Sequence, residues 1–208
     1  MISKRFIMVN TIVLLLFLLV SSDLISQEKI QKNDYRDSKW GMKKDKVLSS
    51  EKNKPLVAGP LVAGPLNQYF LVMYTGEVAG LKANYGYGFL DDVLVEGAYT
   101  LVEKHINMNK YINDYNKLKE ILTRKYGSPK KSKLYWYNDL YKNSPQRYGR
   151  AVSMGHLGFQ SDWETDRTLI SLTLLGDNLD LSTILTYTSK LHKKLIDKAD
   201  KKSEEQGL

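Results

Sequence analysis

The chain has 208 residues, no cysteine and a formal net charge of +8. The absence of cysteine excludes disulfides, cysteine-ligated metal sites, thiol catalysis and a lipid anchor through cysteine. With 42% hydrophobic and 26% charged residues, the composition is typical of a globular domain and excludes a disordered chain.

The first 22 residues have the layout of a secretory signal peptide. Lys4 and Arg5 precede an apolar run, Ile7 to Val20, and the small residue Ser22 follows it. We therefore predict a secreted or periplasmic protein, with cleavage after Ser22 or, alternatively, after Ser26. The other interpretation is an N-terminal membrane anchor, although the apolar run is shorter than the about 20 residues that a spanning helix needs.

The basic excess persists after removal of the signal peptide. Loss of Lys4 and Arg5 leaves 29 bases and 23 acids, a net charge of +6. Such an excess favours acidic partners, such as anionic lipid headgroups or cell-wall polymers, with at most peripheral contact with a membrane. Export argues against nucleic acid as the partner. The alternative is a solvated basic surface without a partner.

The rest of the chain is predicted to be a linker, one domain and a frayed tail. The linker covers residues 23–34, the domain 35–202 and the tail 203–208. The domain begins with a short helix over residues 43–52, onto which Trp40 packs back as in a hydrophobic staple.

A small internal repeat follows this helix. The pentapeptide Pro-Leu-Val-Ala-Gly begins at Pro55 and again at Pro60, and a third copy starts at Pro65. Proline lacks an amide donor and biases the residue before it toward extended backbone, so the segment cannot be a helix or a central strand. We interpret residues 55–66 as a duplicated loop insertion, and a recognition motif is the alternative.

Three antiparallel strands are predicted next. Strand-forming residues and period-two alternation place them at 69–74, 81–89 and 93–102. Turns are predicted at 76–77 and 91–92, the second of them from two aspartates that tolerate turn conformations.

Residues 107–126 are predicted to form a long central helix. Gly127 and Pro129 end it in the usual way. Apolar residues recur at three- and four-residue steps along one stripe, at Met108, Tyr111, Ile112, Tyr115, Leu118 and Leu122.

The second half of the chain returns to strands. Four are predicted, at 134–137, 159–163, 167–175 and 179–187. Residues 138–150 are a predicted loop, and 150–157 hold a short helical turn. An amphipathic C-terminal helix is predicted over 188–202, with its apolar side formed by Leu191, Leu195 and Ile196. Runs of strands broken by helices predict the α+β class, with an antiparallel sheet and helices packed on one of its faces.

Three short motifs resemble a known group of proteins. Arg36, followed after three residues by Trp40-Gly41-Met42 and a Lys-rich short helix, resembles the opening of uncharacterised exported bacterial proteins. Two further matches are the helix end at Lys125-Tyr126-Gly127-Ser128-Pro129 and Trp163 ahead of the strand that contains Arg167. Together these features extend from Arg36 to Tyr187.

The arrangement is also similar to the fold of β-lactamase inhibitor proteins. The small lipoprotein of the outer-membrane β-barrel assembly machinery belongs to the same fold class. The resemblance implies a non-catalytic, protein-binding scaffold. This chain departs from it in two ways, because it has no lipidation cysteine and carries the pentapeptide insertion.

Metal and cofactor sites are not predicted. His105, His156 and His192 are far apart in the sequence, and none has a second ligand at helical or hairpin spacing. Gly86 and Gly88 alternate with aromatic residues as strand residues do. We predict that their bare face lets another element approach closely.

Catalytic constellations receive little support from the sequence. The chain has no Gly-x-Ser-x-Gly elbow, although Ser153 lies close to a histidine, His156, in the sequence. Two acidic pairs, at 91–92 and in the segment 164–166, fall in predicted turns, where acids serve local backbone hydrogen bonding. A hydrolase site assembled from distant residues is the alternative hypothesis.

Aromatic residues give the one positive signal for binding. Tyr135, Trp136 and Tyr137 are consecutive in a predicted strand, so they point to alternate faces of the sheet. Unless both faces are covered, either Trp136 or its two tyrosine neighbours are exposed to a partner. The alternative is that all three pack in the core. The sequence thus favours an exported, non-enzymatic protein that binds a protein or a cell-envelope component.

Overall fold

The structure is a computed structural model that describes residues 33–60, 69–197 and 201. The predicted signal peptide with its cleavage site at Ser22, most of the predicted linker, the second pentapeptide copy and the predicted tail lie outside these residues. Asp34, which the sequence places at the end of the linker, is buried.

One antiparallel sheet organises the fold, which confirms the predicted α+β class. Its strands run in the spatial order β1-β2-β3-β4-β8-β7-β6-β5. Each half of the chain therefore contributes a four-stranded meander, and the two meanders meet at β4 and β8. The strands are β1 (Val57–Pro60), β2 (Tyr69–Val78), β3 (Leu81–Leu90), β4 (Val93–Leu101), β5 (Lys131–Trp136), β6 (Leu157–Glu164), β7 (Thr168–Asp177) and β8 (Asp180–Ser189).

Three helices pack on one face of the sheet. They are α1 (Lys44–Leu48), α2 (Asn109–Tyr126) and α3 (Tyr148–Ser153). Of these, α2 and α3 lie against β6, β7 and β8, whereas α1 lies against β4. Four residues of the predicted apolar stripe of α2 are buried, namely Tyr111, Tyr115, Leu118 and Leu122. The helix stripe and the strand alternation therefore meet in one core.

The opposite face of the sheet carries small and polar side chains. One row of paired residues crosses seven strands, through Met73, Gly86, Ala98, Thr186, Ser171, Asp162 and Lys131. Within the described part of the chain, the helices all contribute their buried residues to the other side. We call this second side the open face.

The predicted turn at residues 76–77 is wrong, because β2 continues through them to Val78. The turn instead uses Ala79 and Gly80, which both have positive φ. Gly76 serves a close approach, since a Cβ there would lie 2.7 Å from the ring of Tyr85. The glycine that suggested a turn is therefore a packing residue within a strand.

The first pentapeptide copy is not a loop as predicted. Residues Val57 to Pro60 pair with β2 as the edge strand β1, and the amide of Leu56 donates to the carbonyl of Met73 at 2.7 Å. Proline is compatible with this place because an edge strand leaves one side of its backbone unpaired. For the described residues of the repeat, the prediction that they do not form a central strand is confirmed.

The predicted start of the C-terminal helix at Thr188 is also wrong. The strand β8 continues to Ser189, because Thr188 and Ser189 still pair with β7. Helical residues begin at 193. Leu191 and Leu195, predicted to form the apolar side, are exposed.

Candidate binding surface

The three consecutive aromatic residues lie on opposite sides of the sheet edge. Trp136 packs edge-to-face on Tyr148, with ring centroids 5.1 Å apart, and contacts the buried core. Tyr135 is half-buried and pairs with Gly158 on the open face, and Tyr137, which follows β5, has 68% of its surface exposed. Tyr137 is therefore the aromatic residue that a partner could reach most fully, with Tyr135 partly accessible.

Basic residues surround the same strand. Residues 109–134 contain eight lysines and arginines but only two acids, a local net charge of +6. This equals the excess of the whole chain without its first 22 residues, because the remaining residues together hold 21 bases and 21 acids. Within the described residues, no base of this segment takes part in a salt bridge. We define the basic edge as Lys119, Arg124, Lys125, Lys130, Lys131 and Lys133.

A chain of hydrogen bonds fixes α2 beside β5. Lys119 Nζ donates to Ser132 Oγ at 2.8 Å, Ser132 Oγ lies 3.0 Å from Ser161 Oγ, and Ser161 Oγ lies 2.7 Å from the Tyr115 hydroxyl. Burial raises the pKa of Tyr115, so this hydroxyl stays protonated at neutral pH. The helix α2 and the strand β5 are therefore held next to each other, with Lys119 on the helix side of β5 and Lys131 and Lys133 on the open face.

The basic edge is joined to Tyr135 through Lys131. Its ammonium lies 5.3 Å from the ring centroid of Tyr135, a cation–π contact. The hydrogen bond to Tyr135 raises the pKa of Lys131, so the lysine remains charged at neutral pH. The surface therefore combines positive charge with two aromatic side chains.

The outer side of α2 adds a shallow depression to this surface. It has a volume of about 520 Å³ and is lined by Asn116, Lys119, Glu120, Thr123 and Arg124. Two of the five lining residues are bases and one is an acid, so the depression extends the basic edge along the helix.

The histidines lie in separate places. His105 contacts Asp114 at 2.6 Å, His156 stacks on Tyr141, and His192 contacts Ser189 at 2.9 Å. No group of residues suited to hold a metal ion occurs in the described part of the chain. The hydroxyl of Ser153, which the sequence analysis singled out for its closeness to His156, donates instead to the carbonyl of Arg150.

One acidic pair occupies a turn as predicted, and the other does so only in part. Asp91 and Asp92 form the β3–β4 turn with positive φ, and Asp92 pairs with Lys44 at 3.1 Å. Glu164 is instead the last residue of β6, because it still pairs with Leu169, and Asp166 follows between the strands. The hydrogen bond from Lys190 lowers the pKa of Glu164. Asp92 and Glu164 thus each pair with a lysine.

The Arg-x3-Trp-Gly-Met motif has a structural role. The guanidinium of Arg36 lies 3.7 Å from the ring centroid of Tyr85 and donates to the Tyr87 hydroxyl at 3.0 Å. Trp40 Nε1 donates to Thr168 Oγ1 at 2.9 Å. Gly41 and Leu94 are joined by a backbone hydrogen bond of 2.9 Å. The motif anchors the N-terminal segment to the sheet.

The close approach predicted at the β3 glycines is confirmed. A Cβ at Gly88 would overlap the Tyr69 hydroxyl, which donates to Glu96 at 2.6 Å. A Cβ at Gly86 would lie 3.0 Å from the carbonyl oxygen of Val72. The two glycines therefore leave space for β2.

Sequence reasoning identified the aromatic residues but missed the basic edge. The total charge of the chain does not show where the bases lie. Counting charges in short windows along the sequence does, because the excess falls within residues 109–134. That α2 and β5 lie side by side is not visible in either count.

Comparisons with known proteins give no relative for this chain. No family model, curated protein or solved structure matches it. Along the described part of the chain, no helix is both long and apolar enough to cross a membrane.

Proposed function

We propose that this is an exported, non-enzymatic protein that binds an anionic component of the cell envelope through the basic edge. The observation that carries the proposal is the net charge of +6 within residues 109–134, where no base forms a salt bridge with another described residue. The signal-peptide layout of residues 1–22 supports an envelope location.

Phosphate groups fit this surface best. They occur both in anionic lipid headgroups and in phosphate-bearing wall polymers, so the two sources share one chemistry. Lysines attract such groups as point charges, and each lysine near an anionic lipid surface contributes about 1 kcal/mol. Tyr135 and Tyr137 add amphipathic contact area beside the charges.

The test compares two charge-matched triple variants. Lys130→Gln/Lys131→Gln/Lys133→Gln removes three charges from the basic edge, and Lys46→Gln/Lys52→Gln/Lys54→Gln removes three exposed charges elsewhere. Binding is measured to vesicles of phosphatidylglycerol in phosphatidylcholine and, separately, to soluble polyphosphate. The edge variant should lose about 3 kcal/mol of binding, roughly a hundredfold, and the control variant much less.

The salt dependence and the probe distinguish the outcomes. Binding should weaken as salt rises, because exposed charges are screened. Vesicle binding alone indicates lipid headgroups, and polyphosphate binding alone indicates a polymer. Equal losses in both variants, or binding to neither probe, would overturn the proposal.

A further inference from the structure

A second surface suited to anions lies at the other end of α2. A groove of about 580 Å³ separates the N-terminal end of this helix from the loop that leads into α3. Its lining includes Ile106, Asn107, Tyr141, Gln146, Arg147 and Arg150. The basic edge lies toward the opposite end of α2, so ligand binding in this groove is independent of the proposed function.

The walls of this groove are held rigidly. Asn109 Nδ2 donates to the carbonyl of Gln146 at 2.8 Å, and its Oδ1 accepts from the amide of Gly149 at 2.7 Å. A Cβ at Gly149 would overlap the carbonyl carbon of Met108, so the two segments are in direct backbone contact. A ligand would meet a preformed site, which lowers the entropic cost of binding.

Two uncompensated guanidinium groups face the groove. Arg147 and Arg150 are exposed, and neither side chain forms a hydrogen bond or a salt bridge with another described residue. The nearby Asp139 is paired with Lys142 at 3.2 Å, and no acid lines the groove among the described residues. Guanidinium groups match the geometry of phosphate and carboxylate, which they bind with paired hydrogen bonds.

The remaining lining residues suit a ligand that carries several hydroxyl groups. The amides of Asn107 and Gln146 can donate to hydroxyl groups and accept from them. Tyr141, stacked on His156 with centroids 5.9 Å apart, and the fully exposed Ile106 add apolar surface. The volume is within the range of small-molecule sites.

We propose that this groove binds a small sugar that carries a phosphate or a carboxylate group. The arginines hold the anionic group, the amides bind hydroxyl groups, and Tyr141 and Ile106 contact the ring. Either group gives the sugar an oxyanion that a guanidinium can bind. A sugar phosphate and a sugar acid, used as separate probes, distinguish the two.

Isothermal titration calorimetry on the full chain tests this site. The probes are glucose 6-phosphate, glucuronate, inorganic phosphate and glucose. We expect one or both anionic sugars to bind more tightly than phosphate or glucose. Each arginine should contribute about tenfold, since hydrogen bonds to charged groups are the stronger ones. Arg147→Gln/Arg150→Gln should therefore weaken binding about a hundredfold, whereas Lys52→Gln/Lys54→Gln should not change it.

Chemical-shift mapping provides the second measurement. The anionic sugar should shift the backbone amides of residues 106–109 and 146–150, and circular dichroism should show the arginine variant to be folded. Phosphate binding as tightly as glucose 6-phosphate would overturn sugar recognition. No binding of any probe in the millimolar range, or equal binding by the arginine variant, would overturn the site.

Discussion

Asp34 and Arg167 form a two-point ion pair between parts of the chain that are 133 residues apart. Arg167 Nε and Nη2 donate to the two carboxylate oxygens of Asp34 at 2.8 and 2.9 Å. Asp34 also accepts from the amide of Trp40 at 2.9 Å. This carboxylate ties the N-terminal segment to the turn between β6 and β7.

Stability should depend on the ionisation of Asp34. Burial by itself raises its pKa, but the hydrogen bonds from Arg167 and Trp40 outweigh burial and lower the pKa below the ordinary value of 3.8. Because the pKa is lower in the folded than in the unfolded protein, the ionised carboxylate stabilises the fold at pH values above its unfolded-state pKa. This contribution is lost as the pH falls through the folded-state pKa. Asp34→Asn should lower the free energy of unfolding at neutral pH by about 2 kcal/mol.

Urea denaturation as a function of pH checks this prediction. The difference in the free energy of unfolding between the wild type and Asp34→Asn should shrink toward zero as the pH falls below the folded-state pKa of Asp34. The exposed Asp37, replaced by Asn, serves as the control and should show little difference at any pH. If the loss of unfolding free energy in Asp34→Asn stayed constant down to strongly acidic pH, the stabilising role of the ionised Asp34 would be contradicted.

Gly149 should not tolerate alanine although it lies in a helix. Glycine to alanine within a helix ordinarily stabilises by up to about 1 kcal/mol. Here the new Cβ would lie within 2.6 Å of the backbone of Met108 and Asn109, so α2 and α3 must separate. Gly149→Ala should therefore lower the free energy of unfolding by about 1–3 kcal/mol. Gly59→Ala, with no atom within 4 Å of the new Cβ, is the matched control in thermal unfolding. Equal effects of the two substitutions would contradict this packing argument.

Tyr115 and Ser161 should behave as a coupled pair. Tyr115→Phe and Ser161→Ala each remove one member of a buried contact, and Ser161→Ala also removes the contact with Ser132. Each should cost about 1–2 kcal/mol of unfolding free energy. The double variant should cost less than the sum of the two, because the hydrogen bond between Tyr115 and Ser161 is lost in all three cases. Chemical denaturation of the four proteins measures this coupling, and strict additivity would show the contact to be unimportant.

Trp136 and Tyr137 should separate stability from binding. Trp136→Ala removes a side chain that packs on Tyr148 and should cost about 2 kcal/mol of unfolding free energy. Tyr137→Ala should change stability by less than about 0.5 kcal/mol, because its side chain is exposed. Binding to phosphatidylglycerol vesicles should instead fall for Tyr137→Ala. If Tyr137→Ala unfolds the protein more readily than Trp136→Ala, the assignment of faces is wrong.

Local patterns in the sequence determined the elements and the fold class. The three- and four-residue spacing of Tyr111, Tyr115, Leu118 and Leu122 predicted the helix that the structure contains. The alternation in β3 likewise predicted which residues share a strand face. Both patterns arise within a few residues, so a single stretch of chain is enough to predict them.

Boundaries and edges depended on contacts that no local pattern contains. Gly76 has the local signature of a turn residue, but the ring of Tyr85 packs against it within a strand. The first pentapeptide copy has the local signature of a loop, but β2 offers it a pairing partner. In both cases the deciding group is distant in sequence, and the local signal is the same for either outcome.

The sequence by itself determined that the chain is basic, that it lacks cysteine and that its first 22 residues have the layout of a signal peptide. Only the tertiary structure decided where the charge acts. The sheet order places β5 at an edge, and the contact between Lys119 and Ser132 brings α2 beside it. The register between β5 and β6 places Trp136 on the helix side of the sheet and Tyr135 on the open face, because it assigns each residue of β5 to one face.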